Sequence, residues 1–133
     1  LIIGRIGCYA DNMTYVVPVT YAYDGTYIYG HTKEGLKVNM MRKNPMVCFE
    51  VDVIENMSNW RSVIAWGKFE ELKTPEEQKE GLKILMDKVM PLMTGATTIS
   101  HSMSDSHQKT IEALKGVVYR IELTEKTGRY EKT

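Results

Sequence analysis

The chain is 133 residues long, 43% hydrophobic and 26% charged, with 17 basic and 17 acidic side chains that cancel to a formal net charge of zero. This is globular composition and one domain's worth of chain (1–133), able to bury a core without disulfide or metal staples and too rich in Val, Ile, Tyr and Leu for disorder. The balance excludes nucleic acid as a partner, because no basic footprint is present, and no apolar run approaches the roughly 20 residues that span a bilayer.

Positions 2–10 read as a first strand, ended by the turn pair Asp11-Asn12. Positions 13–23 are rich in β-branched and aromatic residues and read as a second. Asp24-Gly25 then signals a hairpin to a third strand over 26–32, which places Tyr27, Tyr29 and His31 on one face and Ile28, Gly30 and Thr32 on the other. Pro18 cannot donate to a ladder, so it marks a sheet edge, a bulge or a place where something else meets the backbone.

A short helix is expected over 33–43, stopped by Asn44-Pro45. Strands follow at about 46–53 and 60–72. Thr74, Pro75 and Glu77 together open a second helix, with Thr74 as N-cap, Pro75 in the first turn and Glu77 completing a capping box. Leu82, Leu85, Met86, Val89 and Met93 form its apolar stripe, and Pro91 kinks or ends it. Positions 94–110 form a Ser/Thr-rich loop, a helix is expected over about 105–115, and a last strand over 117–124 precedes a frayed polar tail from Glu125.

Six strands in mostly adjacent order make the chain mainly β, a closed or partly split antiparallel barrel with flanking helices. The strands at 46–53 and 60–72 are apolar on both faces, so a helix or a second subunit must cover the outer one. Cys8 and Cys48 read as small buried hydrophobes in a reducing compartment, with no disulfide framework and no metal signature. Leu1-Ile2-Ile3 is too short for the apolar core of a signal peptide, and a cytoplasmic protein is expected.

The segment His31-Thr32-Lys33-Glu34-Gly35-Leu36-Lys37 carries the most chemistry. It joins a strand end to a helix start, where unpaired N–H groups and the helix dipole favour an anion. Thr32 can act as N-cap or as a phosphate donor. Lys33 and Lys37 crowd like charges near a positive helix end, a penalty that a phosphate removes. Solvated lysines are the alternative. Around Val16-Val17-Pro18-Val19, backbone groups freed by Pro18 can bond a planar heterocycle, or the segment is a plain edge strand. Arg61, followed by Ser62, can fork onto a phosphate or carboxylate, or make a surface salt bridge.

Taken in order, Thr14–Tyr21, Asp24-Gly25, His31-Thr32-x-x-Gly35-x-Lys37, Asn44-Pro45-x-Val47-Cys48-Phe49-Glu50-Val51, Trp60-Arg61-Ser62-Val63-x-x-x-Gly67 and the tail from Val118 to Gly128 resemble the FMN-binding split-barrel superfamily related to pyridoxamine 5'-phosphate oxidase. The branch of flavin-nucleotide-binding proteins that includes nitroimidazole-resistance reductases is the nearer match. The resemblance implies a six-stranded, Greek-key-like split barrel that forms a homodimer with FMN between the subunits. The backbone of Val16, Val17, Pro18 and Val19 would face the isoalloxazine ring. His31, Thr32 and Lys37 would hold the phosphate end, and Arg61 and Ser62 would join the same cleft. The flavin would carry electrons from a reduced nicotinamide to a small acceptor such as a nitro compound or a quinone. The chain lacks the C-terminal Trp- and Arg-containing segment of true pyridoxamine phosphate oxidases, which counts against vitamin B6 oxidation.

His31 is the candidate catalytic residue, as donor or proton source against the flavin; a strand-end residue with a satisfied hydrogen bond is the alternative. His101 and His107 lie in the Ser/Thr-rich loop and make no metal set. Trp66 is expected in the core or a dimer interface, and Trp60 beside the cofactor. A non-enzymatic flavin-storage protein, a haem-binding relative with His31 as axial ligand, and a deazaflavin in place of FMN are the other readings.

Overall fold

A computed structural model describes residues 3–89 and 116–131. The elements are β1 (Ile3–Ala10), β2 (Met13–Thr20), β3 (Ala22–Tyr23), β4 (Tyr27–Thr32), α1 (Leu36–Lys43), β5 (Met46–Asn56), β6 (Asn59–Glu71), α2 (Pro75–Val89) and β7 (Val117–Glu131). The strands form one antiparallel sheet in the order β2-β1-β5-β6-β7-β4-β3. The two ends of that order, β2 and β3, are separated in the chain only by Tyr21. The sheet therefore curls round until its ends meet, and the fold is the mainly β barrel expected from the sequence.

The strand count differs by one because the stretch 13–23 serves two partners. Met13–Thr20 pairs with β1, and Ala22–Tyr23 pairs with β4 across the Asp24-Gly25 turn. Asp11 and Asn12 both take positive φ, 53° and 61°, so β1 and β2 are joined by the tight turn whose twist matches a hairpin. Asp24 builds the other turn by accepting from the backbone N–H groups of Thr26 at 2.9 Å and Tyr27 at 2.7 Å.

Three strands outrun expectation. β5 continues to Asn56, β6 starts at Asn59, and β7 continues to Glu131 rather than fraying at Glu125. The β6–β7 ladder holds through the pair Trp60–Glu131, with one extra residue in β7 opposite Trp66/Gly67. Thr124 at that bulge donates its hydroxyl to the Trp66 carbonyl. Gly67 is needed there, since a Cβ would lie 2.3 Å from the Glu122 carbonyl oxygen. β1 pairs with β5 only through Cys48–Glu50, and β4 with β7 only through Val117–Glu122. Beyond those limits β5, β6 and β7 project from the barrel as a three-stranded arm.

Inside the barrel, Ile6, Met41 and Ile121 are fully enclosed with Phe49, Phe69 and Tyr119. Burial of each such aliphatic side chain favours the fold by about 1.5–3 kcal/mol. α1 contributes Met40 and Met41 to this core from one end. Asn44 ends α1 as expected, its N–H bonded to the Met40 carbonyl and its side chain to the Tyr9 carbonyl. α2 starts at the foreseen capping box, with the Glu77 N–H donating to Thr74 Oγ1 and the Thr74 hydroxyl to Glu77 Oε1. Its Leu82 packs with Tyr29, Leu72 and Val118 on the outer face of β4 and β7. Pro91, Met93, the 94–110 loop and the 105–115 helix lie outside the described residues. No helix among those described is long and apolar enough to cross a membrane.

Candidate functional site

β2 is a sheet edge, one of the positions Pro18 allowed: it pairs with β1 and, among the described residues, has no ladder on its other side. Alternate backbone groups of an edge strand face outward and can bond a ligand. The strand's side chains divide by face. Val17 and Val19 turn inward to the core, whereas Val16 and Pro18 are exposed on the outer wall, Val16 at 68%. The four residues singled out in sequence thus offer a ligand their backbone, with side-chain contact only from Val16 and Pro18.

The loop after β4 and the first turn of α1 form a second part. The helix begins at Leu36, later than expected, and its N-cap is Gly35 rather than Thr32, with no side-chain cap and no acid in the first turn. The Thr32 hydroxyl instead donates to the Lys33 carbonyl at 3.3 Å. Lys37 is half-buried. Burial lowers its pKa from the ordinary lysine value, opposed by the nearby Cys8 thiol. Burial likewise raises the Cys8 pKa, with Cys48 adding and Lys37 opposing. α1 packs against β1, which sets Lys37 near Cys8. A desolvated cation at an uncapped helix start is a group that gains by meeting an anion.

His31 stands apart from Thr32 and Lys37. Successive strand residues face opposite ways, and His31 shares the face of Tyr29, beneath α2. Its Nε2 is enclosed, and a Cβ on Gly116 would lie 2.6 Å from it. The structure thus sets Thr32 and His31 on opposite sides of β4.

Arg61 and Ser62 sit on the arm, paired with Val53 and Asp52 of β5 and Tyr130 and Arg129 of β7. They too face opposite ways. Arg61 is exposed and shares the side of Val63 and Ala65, while half-buried Ser62 shares that of Ile64 and Trp66. Glu71 at the far end of β6 lies in one row with Tyr119 and Gly30, next to His31. Arg61 precedes Glu71 by ten residues, roughly 30 Å of strand at about 3.3 Å each. Arg61 therefore stands on the arm, well along β6 from the row of Glu71, Tyr119 and Gly30.

Among the described residues, no helix lies over the outer wall of β2, β1, β5 and β6. Ile3, Tyr9, Val16, Met46, Ile64 and Trp66 are all exposed there, with Arg5 bonded to Glu50 and Asp52 among them. Trp66 is thus on this surface rather than in the core. Cys8 is buried inside the barrel and Cys48 half-buried outside it, beside Gly7, so only the first is the core residue expected; both are free thiols. Sequence reasoning missed the clamp on the loop before α1. The Arg42 guanidinium bonds both oxygens of Glu34 at 2.8 Å and both of Glu71 at 2.8 and 3.1 Å. Eight residues separate Glu34 from Arg42 and 29 separate Arg42 from Glu71, and no local spacing rule joins them.

The family model for pyridoxamine 5'-phosphate oxidase matches residues 2–130. The chain belongs to that family. A FAD-binding protein from Mesorhizobium loti superposes with a TM-score of 0.75 at 26% identity, over 99% of this chain and 88% of that one. A Bacteroides thetaiotaomicron protein assigned to 5-nitroimidazole antibiotic resistance superposes with a TM-score of 0.70 at 21% identity, over 96% and 75%. Among curated proteins, an uncharacterised protein of Rhizobium meliloti is 34% identical over 70 residues, which are 53% of this chain and 46% of that protein. The chain thus spans less than half the length of that curated relative in the match. The fold is that of the family's split barrels.

Proposed function

We propose that this family member binds FMN between two copies of itself and uses it to reduce a small acceptor, with a reduced nicotinamide as donor. The observation that carries the reading is the division of the cation set. Lys37 and the uncapped start of α1 lie against the barrel, whereas Arg61 lies on an arm with no core of its own, ten residues before Glu71 on β6. A second copy against the bare outer wall would cover its exposed apolar side chains and bring a partner's arm over the first copy's edge strand. The Mesorhizobium relative is named for FAD, which supports a flavin, and the Bacteroides relative supports a nitro compound among the acceptors.

The residues present fit a flavin phosphate. An edge strand with outward backbone groups, a half-buried lysine, and a first helical turn free of acids are complementary to a heterocycle with an anionic tail. Bound flavin would supply the two-electron redox chemistry. The chain's own part is to hold and to exclude. Lys37, Thr32 and the first N–H groups of α1 would take the phosphate, and outward groups of Val16–Val19 would meet the ring edge. Val16 and Pro18 would shield one side of the ring from water. His31, enclosed beneath α2, would act through its position at the end of β4.

Purified protein is expected to be yellow and dimeric, to release FMN on denaturation as identified by mass spectrometry, and to oxidise reduced nicotinamide when a nitro compound or quinone is supplied. Lys37→Ala is expected to weaken FMN about tenfold or more, the scale of one charge-assisted hydrogen bond, while leaving riboflavin affinity unchanged. A colourless monomer indifferent to saturating FMN overturns the proposal. Flavin binding without turnover removes its reductase part.

A further inference from the structure

The clamp on the loop before α1 has a role beyond holding β6 to the helix. Glu34 is three residues before Lys37, and Gly35 between them meets no heavy atom within 4 Å of where a Cβ would stand. Among the described residues, Glu34 is held by Arg42 alone. Gly35 supplies no side-chain cap, so a carboxylate swinging back would find both an ammonium and unbonded N–H groups. Such an internal acid would compete with any external anion for Lys37. Lys37 itself makes no ion pair among the described residues.

What holds Glu34 away is Arg42. Its guanidinium presents four N–H contacts to two carboxylates, one on each of two edges, and all four lie between 2.8 and 3.1 Å. The Arg42 side chain is 38% exposed and that of Glu71 23%. Glu71 fixes the guanidinium against the end of β6, so the fork that receives Glu34 is anchored to the barrel. The Glu34 pKa is lowered chiefly by its hydrogen bonds to Arg42, with burial opposing.

We infer that Arg42 is a positioning residue: by binding Glu34 against Glu71 it keeps the carboxylate nearest in sequence away from Lys37, leaving that lysine for a ligand's phosphate. This deepens the FMN reading and rests on it for the identity of the ligand. Its structural half, the sequestering of Glu34, stands on the clamp geometry alone.

The experiment compares wild type, Arg42→Gln, Glu34→Gln and the double variant. FMN and riboflavin affinities are measured by fluorescence titration, and the Lys37 side chain and the Lys37 and Val38 amides by NMR across the carboxylate pH range. Arg42→Gln is expected to weaken FMN about tenfold, or about 1.4 kcal/mol. Its Lys37 signals should titrate with a carboxylate. Adding Glu34→Gln should restore FMN affinity and abolish that titration, although Glu71 remains unpaired in both. Riboflavin, lacking the phosphate, should bind all four alike, and thermal melts exclude unfolding as the cause. If the double variant binds FMN as weakly as Arg42→Gln, or the Lys37 signals do not titrate, Arg42 is only a structural tie and the inference falls. If wild type prefers FMN no more than riboflavin, the phosphate assignment falls, while the NMR arm still decides whether Glu34 is held away from Lys37.

Discussion

The barrel and the arm share three strands, β5, β6 and β7, yet they are stabilised differently. Within the barrel, Ala65, Phe69 and Ile121 are buried, and inward residues of every strand meet inward residues of another. On the arm the ladders run on, but Val63 is 40% exposed on one side and Ile54 68% on the other. Backbone pairing is continuous across the boundary and apolar burial is not. Net hydrogen-bond stabilisation is modest, and a ribbon of two or three strands gains little stability without an apolar cover.

The sharpest way to break this comparison is to truncate one residue in each region. Ile121→Ala removes a side chain with no exposed surface and is expected to destabilise by about 2–5 kcal/mol. Ile54→Ala removes one that is mostly exposed and should change the stability of an isolated protomer by less than about 0.5 kcal/mol. Urea denaturation at low protein concentration measures both. Equal losses would mean that the arm carries a core of its own.

A charge on the outer wall sharpens the same contrast. Ile64→Lys lies in the strand row of Arg5 and Glu50, on the wall shared with Val16 and Trp66. In a protomer alone the change is nearly neutral, because the site is already wet. In a dimer formed on this wall it introduces a buried unpaired charge, and the dissociation constant should rise by roughly 100-fold or more. Sedimentation across a concentration range reads the effect, and unchanged association would place the partner on another face.

Part of what the sequence did not disclose lies on the arm and part in the closure of the barrel. Tyr27, Tyr29 and His31 alternate against Ile28, Gly30 and Thr32, and the faces of β4 followed from that. Thr74, Pro75 and Glu77 carry a cap whose geometry is local, and so does Asn44. The stretch from Glu125 to Glu131 has no apolar alternation, because hydrophobic period reports burial and this part of β7 buries little within one chain. Its pairing with β6 is visible only once the sheet exists. The split of 13–23 at Tyr21 depends on closure of the barrel, which no window of residues encodes. Among site residues, the edge position of β2 was legible from Pro18. The place of Arg61 on the arm was not, since sequence order says nothing of distance along a shared ladder. Glu34 and Arg42 were each visible as charges, but their pairing through Glu71 is tertiary.

The smallest expected effect concerns the turn where barrel and arm touch. Leu123, at the root of the arm, donates its N–H to the Thr26 carbonyl at 3.2 Å, and the Lys126 ammonium reaches the Tyr23 hydroxyl. Asp24 holds that turn. Burial by itself would raise its pKa, but the N–H groups of Tyr27 and Thr26, with the Tyr29 hydroxyl, outweigh it and hold the carboxyl below its ordinary 3.8. A depressed acid stabilises the fold fully above its unfolded-state value and loses that contribution as pH falls through its native one. Wild-type stability should therefore decline with acidification below about pH 4, in part through Asp24. Asp24→Asn keeps a carbonyl acceptor for both N–H groups but has no proton to bind. Its stability should be slightly lower at neutral pH and should fall less steeply on acidification. Urea midpoints measured at neutral pH and at several pH values below 4 compare the slopes. Parallel slopes would show that the charge on Asp24 contributes nothing to the turn and that its shape alone joins the barrel to the arm.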